Sequence, residues 1–503
     1  MESLEMLLSG FRLALTIQNL LAAFFGCLVG TMIGVLPGLG PAATVALLLP
    51  LTFGRDPVTS LVMLAAIYYG AQYGGSTTSI LLNIPGESAS VVTCLDGYQL
   101  ARQGRAAPAL GMAAIGSFVA GVLGVIGLTL GTVPLAEFGL RFGPAEQFAL
   151  LTFALAACGT LAGDLLKGLI MVCFGLFLST IGGDPMSGVD RFTLGRLELM
   201  GGLELVPLLM GLFAVGEVLV SYEQILGIKP LRVRWKRFTE LLPNVSDWVV
   251  SKWAVLRGSL LGFAVGVLPG TGAATASFVA YGIERRFSRT PEKFGKGAME
   301  GVAAAESANN AAAQGAMVPM LALGIPGSPT MAMLMAGLMM AGVQPGPLLM
   351  EQRPDIVWGV IASMFIGNCI LLVLNLPLVG VWASLLRIPY TILGPCILVI
   401  AVLGTYSIAG SMFDVWTLIV FGLLGYVLKK NDFPLAPIVI GFILGNKLEL
   451  SLRRALTMSH GDPRILVGSP IAAVLVGLSL AMLLWQPLTG LIRRARASRL
   501  QAS

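Results

Sequence analysis

Apolar residues occur in long runs along almost the whole chain, and short stretches rich in glycine and proline separate these runs. Three of the runs are Leu13–Met32, Ala106–Leu135 and Ile356–Leu385, and each is at least as long as the roughly 20 residues that a helix needs to cross a bilayer. We count about twelve apolar segments, some of which are too short or too interrupted to span alone. The pattern predicts an all-α, polytopic integral membrane protein with about twelve transmembrane segments.

Composition supports this prediction, because 56% of the 503 residues are hydrophobic and only 12% are charged. A soluble domain carries about 25% charged residues, so most of the surface is expected to face lipid. The formal net charge of +6 comes from the loops and the C-terminal tail. We interpret this charge as a determinant of membrane topology and not as a nucleic-acid-binding surface.

Two short motifs occur twice. Gly34–Gly40 reads GVLPGLG and Gly266–Gly272 reads GVLPGTG, so they differ at one position and are separated by 232 residues (266 − 34). Asn83–Gly86 reads NIPG and Gly324–Gly327 reads GIPG, at a separation of 241 residues (324 − 83). Two Pro-Gly interruptions in each half of an apolar chain are typical of a duplicated transporter with discontinuous, re-entrant helices.

The duplication predicts four parts. Residues 1–226 form the first repeat, 227–252 a basic connector, 253–458 the second repeat, and 459–503 an extra C-terminal transmembrane helix with a basic tail. The Pro-Gly interruptions lie at 36–38, 84–86, 268–270 and 325–327.

Lysine and arginine in short loops set the expected orientation, because cytoplasmic loops carry an excess of them. The connector holds six such residues, so we place it in the cytoplasm, and the acidic N-terminus then lies outside. This arrangement requires an odd number of crossings in each half, which makes the two repeats inverted. The basic segment Arg453–Arg464 argues against the scheme, because the scheme places that segment outside.

The interruptions have a clear physical use. Proline removes a backbone donor, and glycine permits close approach of the backbone. Together they leave unpaired N–H and C=O groups, which a membrane tolerates only inside protein or beside a wet cavity. The N-terminal end of a half-helix attracts an anion, and the freed carbonyl groups attract a cation. Two matched pairs of interruptions therefore predict a midplane site for an anion and a coupling ion.

Small polar residues cluster around these interruptions and are the candidates for binding substrate, since hydroxyl and amide groups bond carboxylate oxygens. The alternative is that serine, threonine and glycine only allow close helix packing. The candidates are Gly38, Gly40, Ser76, Thr77, Thr78, Ser79, Asn83, Pro85, Gly86 and Ser88 in the first half, and Gly270, Thr271, Gly272, Asn309, Asn310, Pro326, Gly327, Ser328 and Thr330 in the second.

The coupling ion has two sets of candidates. Glu87 and Glu306 flank the polar clusters, one in each half, and either is a candidate for carrying a proton. The alternative is that each lies at a membrane boundary, solvated or paired with a cation. A sodium ion is expected near oxygen-bearing groups, and its candidate ligands lie near Gly38, Ser76, Gly270, Ser307 and Asn309.

Other functional classes have little support. The sequence has a single histidine, His460, and contains no hydrolytic triad, metal-ligand spacing or Walker loop. We therefore do not expect an enzyme, and without a nucleotide site the expected transport is secondary. A passive organic-anion channel remains the alternative, because broken helices and small polar residues can also line a channel.

The paired motifs also support a family assignment. Gly34–Thr44, Tyr69–Ser88 and their second-half partners resemble the large membrane subunit of the tripartite tricarboxylate transporters, the TctA family, and the resemblance covers essentially the whole chain. It implies symport of citrate or other carboxylates with sodium ions or protons, and no cofactor apart from that coupling ion. It also implies a bacterial inner-membrane location, a small TctB-like membrane subunit and a periplasmic TctC-like binding protein. By analogy with other tripartite carriers, it suggests an elevator mechanism with scaffold and transport domains.

Overall fold

The computed structural model describes residues 2–161, 163–224, 238–386 and 388–501. Most of the basic part of the predicted connector, up to Arg237, lies outside these residues. In chain order the described helices are α1 (Glu2–Ala14), α2 (Ile17–Gly34), α3 (Pro41–Leu48), α4 (Pro57–Leu82), α5 (Val91–Arg102), α6 (Ala106–Gly139), α7 (Pro144–Leu161), α8 (Leu165–Ser179), α9 (Leu205–Leu209), α10 (Gly216–Gln224), α11 (Val245–Val267), α12 (Gly272–Phe287), α13 (Met299–Leu323), α14 (Pro329–Met340), α15 (Leu349–Gln352), α16 (Pro354–Leu385), α17 (Tyr390–Ala409), α18 (Met412–Lys430), α19 (Ala436–Met458) and α20 (Pro470–Gln501). A π-helical segment, Met210–Val215, joins α9 to α10, and two short strands, β1 (Gly182–Gly183) and β2 (Asp190–Arg191), pair antiparallel.

Eight helical segments in the described residues are long and apolar enough to cross a membrane. They are α2, α6, α7, the segment Leu205–Glu223, α11, α16, α17 and α18. Four shorter apolar helical segments accompany them, at Pro41–Thr52, Leu165–Ser179, Pro329–Met340 and Pro470–Trp485. The sequence count of about twelve apolar segments therefore included the eight long helical segments and the four shorter ones. The all-α, multi-pass membrane architecture agrees with the prediction.

A helix ends at or just before each Pro-Gly interruption. In the first half α4 ends at Asn83, which adopts a left-handed conformation with φ 58°, and Gly38 has φ 85° in the turn after α2. In the second half α13 ends at Gly324 with φ 68°, and Gly270 has φ 82°. Left-handed backbone favours glycine and, among other residues, asparagine. The two halves therefore place the same turn conformations at matched positions.

Helices α2 and α4 pack backbone against backbone in the first half. A methyl group added at Gly30 would lie 2.3 Å from the carbonyl oxygen of Ile67, and one added at Gly34 would lie 2.4 Å from that of Ala71. Such approach is typical of small-residue helix interfaces in membranes.

The same contacts recur between α11 and α13. A methyl group at Gly262 would lie 2.4 Å from the carbonyl oxygen of Ala308, and one at Gly266 would lie 2.3 Å from that of Ala312. The α11 glycines follow their α2 counterparts by 232 residues, and the α13 alanines follow their α4 counterparts by 241 (262 − 30 and 308 − 67). These are the offsets of the two repeated motifs, so the motif spacing also describes how the helices pack.

The chain forms two compact units. Unit 1 comprises Met1–Gly139 and Leu205–Lys430, and unit 2 comprises Leu140–Glu204 and Asn431–Ser503. Each unit therefore combines segments from both halves of the sequence. The predicted four-part division follows repeats in the sequence, whereas the two units follow contacts within the fold. The units therefore do not test the four-part division, which stays a prediction.

Unit 2 contains a charged cluster beside its short β-hairpin. Asp184 accepts hydrogen bonds from the backbone N–H groups of Ser187 and Met186 and from the Arg453 guanidinium. The pKa of Asp184 lies well below its usual range, mainly because of the two backbone hydrogen bonds and to a smaller extent because of Arg453. Arg453 also pairs with Glu449. The basic segment that argued against the topology scheme thus carries at least one arginine whose charge is compensated within the fold.

Candidate functional site

Helices α4 and α13, one from each half, cross inside unit 1 and exchange polar contacts. The Gln72 side-chain amide donates to Asn309 Oδ1 at 3.2 Å, and the Ser76 hydroxyl donates to Glu306 Oε2 at 2.6 Å. Residue numbers rise along α4 while those of their partners fall along α13. The two matched helices therefore run antiparallel where they cross.

Both helices are buried on all sides, which explains why neither shows an amphipathic pattern. Every residue of α4 from Val58 to Leu82 is buried, as is every residue of α13 from Met299 to Ala322. Polar groups in such a position are costly unless they are paired. The bonds between α4 and α13 satisfy several of these groups and fix the register of the crossing.

Glu306 lies at the centre of this polar cluster and is 1% exposed. Its second carboxylate oxygen, Oε1, accepts a bond from the Thr93 hydroxyl of α5 at 2.5 Å. Among the described residues, no lysine or arginine forms an ion pair with it. Three elements of both halves thus converge on a buried carboxyl group that is surrounded by hydroxyl groups and lacks a protein cation.

Glu87, in contrast, is partly exposed and follows the second Pro-Gly interruption. Its Oε1 accepts a bond from Asn309 Nδ2 at 2.7 Å, so Asn309 links Glu87 to Gln72. The next side chain, Asn310, donates to Ser117 of α6 at 2.7 Å. Both candidate carboxyl groups therefore accept hydrogen bonds from side chains of the α4–α13 crossing, although the sequence places them 219 residues apart (306 − 87).

The two interruptions of the first half lie against α4. The Thr78 hydroxyl donates to the carbonyl oxygen of Val35 at 2.8 Å, in the turn after α2. A methyl group at Gly86 would lie 2.3 Å from the Cα of Gly75, so the loop after α4 folds back and touches the helix backbone. A methyl group at Gly40 would approach the Gly86 carbonyl oxygen at 3.4 Å. The start of α3 and the loop after α4 are neighbours.

The interruptions of the second half contact each other directly, because the Gly270 N–H donates to the Gly327 carbonyl oxygen at 3.1 Å. The Thr271 hydroxyl donates to the Val265 carbonyl oxygen at 2.7 Å. Ser328 caps α14, its hydroxyl accepting from the backbone N–H of Met331. Each half thus brings its two interruptions together, as a shared binding site requires.

The structure gives the remaining candidates different surroundings. Asn83 and Ser88 are exposed, and Asn83 ends α4. The Ser79 hydroxyl donates to its own helix at Gly75, and the Ser307 hydroxyl donates to the Gly116 carbonyl oxygen at 3.3 Å. Thr77 is buried inside α4. The remaining buried or half-buried candidates lie in turns and helix starts and are Pro85, Gly272, Pro326 and Thr330.

Among the described residues, the five groups proposed around a sodium ion are spread over several elements and have different hydrogen-bond partners, and the sodium site stays a prediction. Ser76 and Asn309 belong to the α4–α13 network, Ser307 points towards α6, and Gly38 and Gly270 lie in the turns after α2 and α11. In the described ranges, no three histidine, cysteine, aspartate or glutamate side chains are grouped so that they could hold a metal ion.

Three residues of the network were missed by the sequence interpretation. Gln72 lies one helical turn before Ser76, and this i, i+4 spacing of polar residues in a buried helix was a usable signal. Thr93 and Ser117 lie on α5 and α6, and nothing local marks them. Two buried atoms beside the crossing, Gln72 Oε1 and Asn310 Oδ1, have no hydrogen-bond partner among the described residues. Such atoms are expected to bind water, an ion or a ligand.

Comparisons with known proteins agree with this architecture. The family model described as the tripartite tricarboxylate transporter TctA family matches residues 20–440. An Agrobacterium vitis protein described as an uncharacterized 52.8 kDa protein in the TAR-I ttuC' 3' region is 48% identical over 482 residues, which are 96% of this chain and 95% of that protein.

A second Agrobacterium vitis protein, described as an uncharacterized protein in the TAR-II ttuC' 3' region, is 50% identical over 223 residues, which are 44% of this chain and 90% of that protein. No solved structure is significantly similar to this chain. The family match covers most of the chain, including both pairs of interruptions and the α4–α13 crossing. The chain belongs to the tripartite tricarboxylate transporter TctA family, as a large membrane subunit.

Proposed function

We propose that this chain is the permease subunit of a binding-protein-dependent, secondary active importer of citrate-like tricarboxylates or related carboxylates. The observation that carries the proposal is the buried α4–α13 crossing, where polar side chains from both halves meet beside paired helix interruptions. Intramembrane polar groups of this kind mark substrate and ion pathways.

Substrate binds, in this proposal, where the half-helices begin. A tricarboxylate carries up to three negative charges, yet none of the four interruptions contains a lysine or arginine. The N-terminal ends of α3, α12 and α14 supply positive dipole ends and backbone N–H groups. Asparagine and serine side chains and the coupling ion supply the remaining compensation.

The coupling ion is a sodium ion or a proton. Glu306 is buried without a protein cation, and a buried carboxylate is strongly destabilised unless a positive charge accompanies it. A bound proton or a bound sodium ion would provide that charge. Glu87 is partly exposed and joined to the network through Asn309, which makes it the candidate entry point from water.

Two inverted repeats account for the matched geometry. The glycine contacts of α2 with α4 recur between α11 and α13 at the motif offsets, and α4 runs antiparallel to α13. Equivalent helices that cross antiparallel are what an inverted repeat produces. Such repeats permit alternating access, and we propose an elevator motion in which the interruptions move with α4 and α13 as the transport domain.

The proposed partners follow from the family. Tripartite transporters imply further subunits, and we propose a small TctB-like membrane protein and a TctC-like periplasmic binding protein that delivers the carboxylate. The proposed location is the bacterial inner membrane.

Uptake of labelled citrate into proteoliposomes tests the function. The liposomes contain this chain and its small membrane partner, and the cognate binding protein is added outside, with an inward sodium gradient and then an inward proton gradient. Uptake that requires the binding protein and one gradient supports the proposal and identifies the ion. Flux that needs neither supports a passive organic-anion channel, and absence of flux for a whole series of carboxylates contradicts transport.

The site is tested by Asn83→Ala and Asn309→Ala, which are expected to abolish uptake while expression stays intact. Thr152→Ala is the control, because the Thr152 hydroxyl bonds to its own helix at Phe148 in unit 2. Normal uptake in both asparagine variants contradicts the assignment of the site.

A further inference from the structure

A cavity of about 600 Å³ opens between the first turns of α11, the end of α12 and the loop that follows α12. Helix α12 returns alongside α11, and the Arg257 guanidinium forms two hydrogen bonds with the Glu284 carboxylate, at 2.9 and 2.7 Å, across the pair. The cavity therefore lies at the end of the α11–α12 hairpin remote from the Pro-Gly turn. It is separate from the α4–α13 crossing.

Part of the cavity lining is cationic. Lys252, Arg289 and Lys293 line it and are exposed, and none of the three forms an ion pair with an acidic side chain of the described residues. Arg257 also lines it, but its charge is compensated by Glu284. Lys252 lies over the Trp253 ring, and the three cations without an ion pair around one cavity attract an anion that carries a phosphate or similar group.

The cavity lining also includes apolar residues, most of them from a membrane-crossing helix. Val249, Val250 and Trp253 of α11 are 54%, 49% and 55% exposed, and Phe287 at the end of α12 is 68% exposed. Helix α11 is long and apolar enough to span, and only 39% of its apolar window is buried. Tryptophan is enriched where a membrane helix meets the headgroup layer. A soluble anion would contact only the cationic residues of the lining, whereas a phospholipid would contact the cationic residues with its headgroup and the apolar residues with its acyl chains.

The innermost part of the cavity adds a requirement on the headgroup. Glu300, the second residue of α13, is 7% exposed and lines the cavity, and its Oε2 atom has no hydrogen-bond partner among the described residues. A buried carboxylate oxygen without a donor favours a ligand that donates a hydrogen bond. A headgroup with hydroxyl groups next to its phosphate satisfies Glu300 and the three cations together.

The position along the membrane normal is consistent with such a ligand. The cavity lies at the start of α11, which includes the last residues of the predicted connector 227–252, and five further lysine or arginine residues of that connector lie between Lys229 and Arg237. Loops rich in lysine and arginine lie on the cytoplasmic side, and that leaflet is the one whose anionic lipids attract basic segments.

We propose that this cavity binds the headgroup of an anionic phospholipid whose phosphate is esterified to a hydroxyl-bearing group, of the phosphatidylglycerol type. Lys252, Arg289 and Lys293 hold the phosphate, Glu300 accepts from a headgroup hydroxyl, and the acyl chains lie along Val250 and Trp253. The lipid fastens the α11–α12 hairpin at its membrane-surface end. This site does not depend on the proposed substrate or coupling ion.

Native mass spectrometry of the purified full chain, with thermal unfolding in nanodiscs, tests the proposal. Phosphatidylglycerol is expected to remain bound and to raise the unfolding temperature, whereas phosphatidylcholine does neither. Phosphatidic acid, which lacks headgroup hydroxyls, is expected to bind more weakly than phosphatidylglycerol, and Glu300→Ala is expected to remove that difference. Equal retention of phosphatidylglycerol and phosphatidylcholine by the wild-type protein overturns the proposal.

A matched pair of variants separates a defined site from general surface charge. Arg289→Gln with Lys293→Gln removes two cations that line the cavity, and Arg285→Gln with Arg286→Gln removes two neighbouring exposed cations that do not. Only the first pair is expected to lose the retained phosphatidylglycerol and its thermal shift. Equal losses in the two pairs overturn the proposal.

Glycerol phosphate is the probe for a soluble anion. Displacement of the lipid by millimolar glycerol phosphate, or an equal thermal shift from glycerol phosphate alone, assigns the cavity to a soluble anion and overturns the lipid proposal. Should the Arg289/Lys293 variant fail to fold, Lys252→Gln is measured in the same way, with unchanged lipid retention counting against the site.

Discussion

The two halves of the molecule have matched helix contacts and turns, but they differ in their polar side chains. The glycines of α2 and α11 touch matched residues of α4 and α13, and the turns have matched left-handed residues. At the same offset, however, Glu306 corresponds to Ala65, and Ser76 corresponds to Met317 (65 + 241 and 76 + 241). The polar groups lie near the end of α4 but near the middle of α13. The antiparallel crossing nevertheless brings them into contact.

The difference indicates what each half contributes. Each half contains two helix interruptions with matched left-handed residues, whereas the polar side chains are distributed unequally between the halves. The first half supplies hydroxyl groups and Glu87, and the second supplies Glu306 and Asn309. We therefore relate the matched turns and helix contacts to folding, and the unmatched polar side chains to the proposed binding site.

The second half also carries an ion pair without a counterpart. Arg257 and Glu284 join α11 to α12, while the corresponding first-half residues are Phe25 and Thr52 (257 − 232 and 284 − 232). Helix α12 has 16 residues and α3 has eight. The longer second hairpin is held by an electrostatic contact that the shorter one does not possess.

The largest expected effect tests the matched backbone. Gly34→Ala and Gly266→Ala each place a methyl group within 2.4 Å of a backbone oxygen, and overpacking against an atom that cannot rotate away costs at least about 1–3 kcal/mol. Both variants are expected to lose most folded protein, measured by size-exclusion chromatography and thermal unfolding. Gly282→Ala, which meets no atom within 4 Å, is the control. Tolerance of the substitution in one half only contradicts equivalent packing.

The next effect concerns the unmatched ion pair. Arg257→Met leaves the Glu284 carboxylate, which is 3% exposed, without its cation, and the expected loss is about 2 kcal/mol, below the usual cost for a fully buried pair because Arg257 is partly exposed. Arg353→Met breaks the exposed pair with Asp355 and is expected to change the unfolding temperature little. Equal shifts in the two variants would mean that the α11–α12 pair has no special role.

A smaller effect is expected at the end of α13. Gly324→Ala puts a side chain at φ 68°, which costs roughly 1–2 kcal/mol in left-handed backbone. The unfolding temperature should fall by a few degrees with the secondary structure unchanged in circular dichroism. An unchanged melting curve would show that the left-handed turn is not needed there.

The smallest effect on stability is expected at the matched residue of the first half. Asn83→Gly keeps a residue suited to φ 58°, so the free energy of unfolding should change by less than about 0.5 kcal/mol. The unfolding temperature should therefore stay nearly the same. If the Asn83 side chain binds substrate, as proposed, citrate uptake is lost all the same. Normal stability together with normal uptake assigns Asn83 to the turn alone.

Local features of the fold were predictable because they depend on local chemistry. A Pro-Gly pair combines a missing backbone donor with a residue that tolerates left-handed backbone, so the interruptions near Pro37 and Pro326 were visible in the sequence. Single prolines such as Pro134 and Pro377 lie inside helices instead. Most of the long apolar helices were predictable from the apolar runs, as Ala106–Leu135 was for α6, although the run Leu13–Met32 begins in α1 and ends in α2. The crossing of α4 with α13 was not, because a helix buried on all sides has no polar face that indicates its neighbours. Thr93 and Ser117 entered the network only through that packing.

The contact between Gly75 and Gly86 has a mechanical consequence. No side chain lies between the loop after α4 and the helix itself at this point, so no change of rotamer can absorb a displacement of one against the other. In the proposed transport cycle we therefore expect α4 and this loop, with Glu87, to move together, so that a ligand bound by one of them moves with the other.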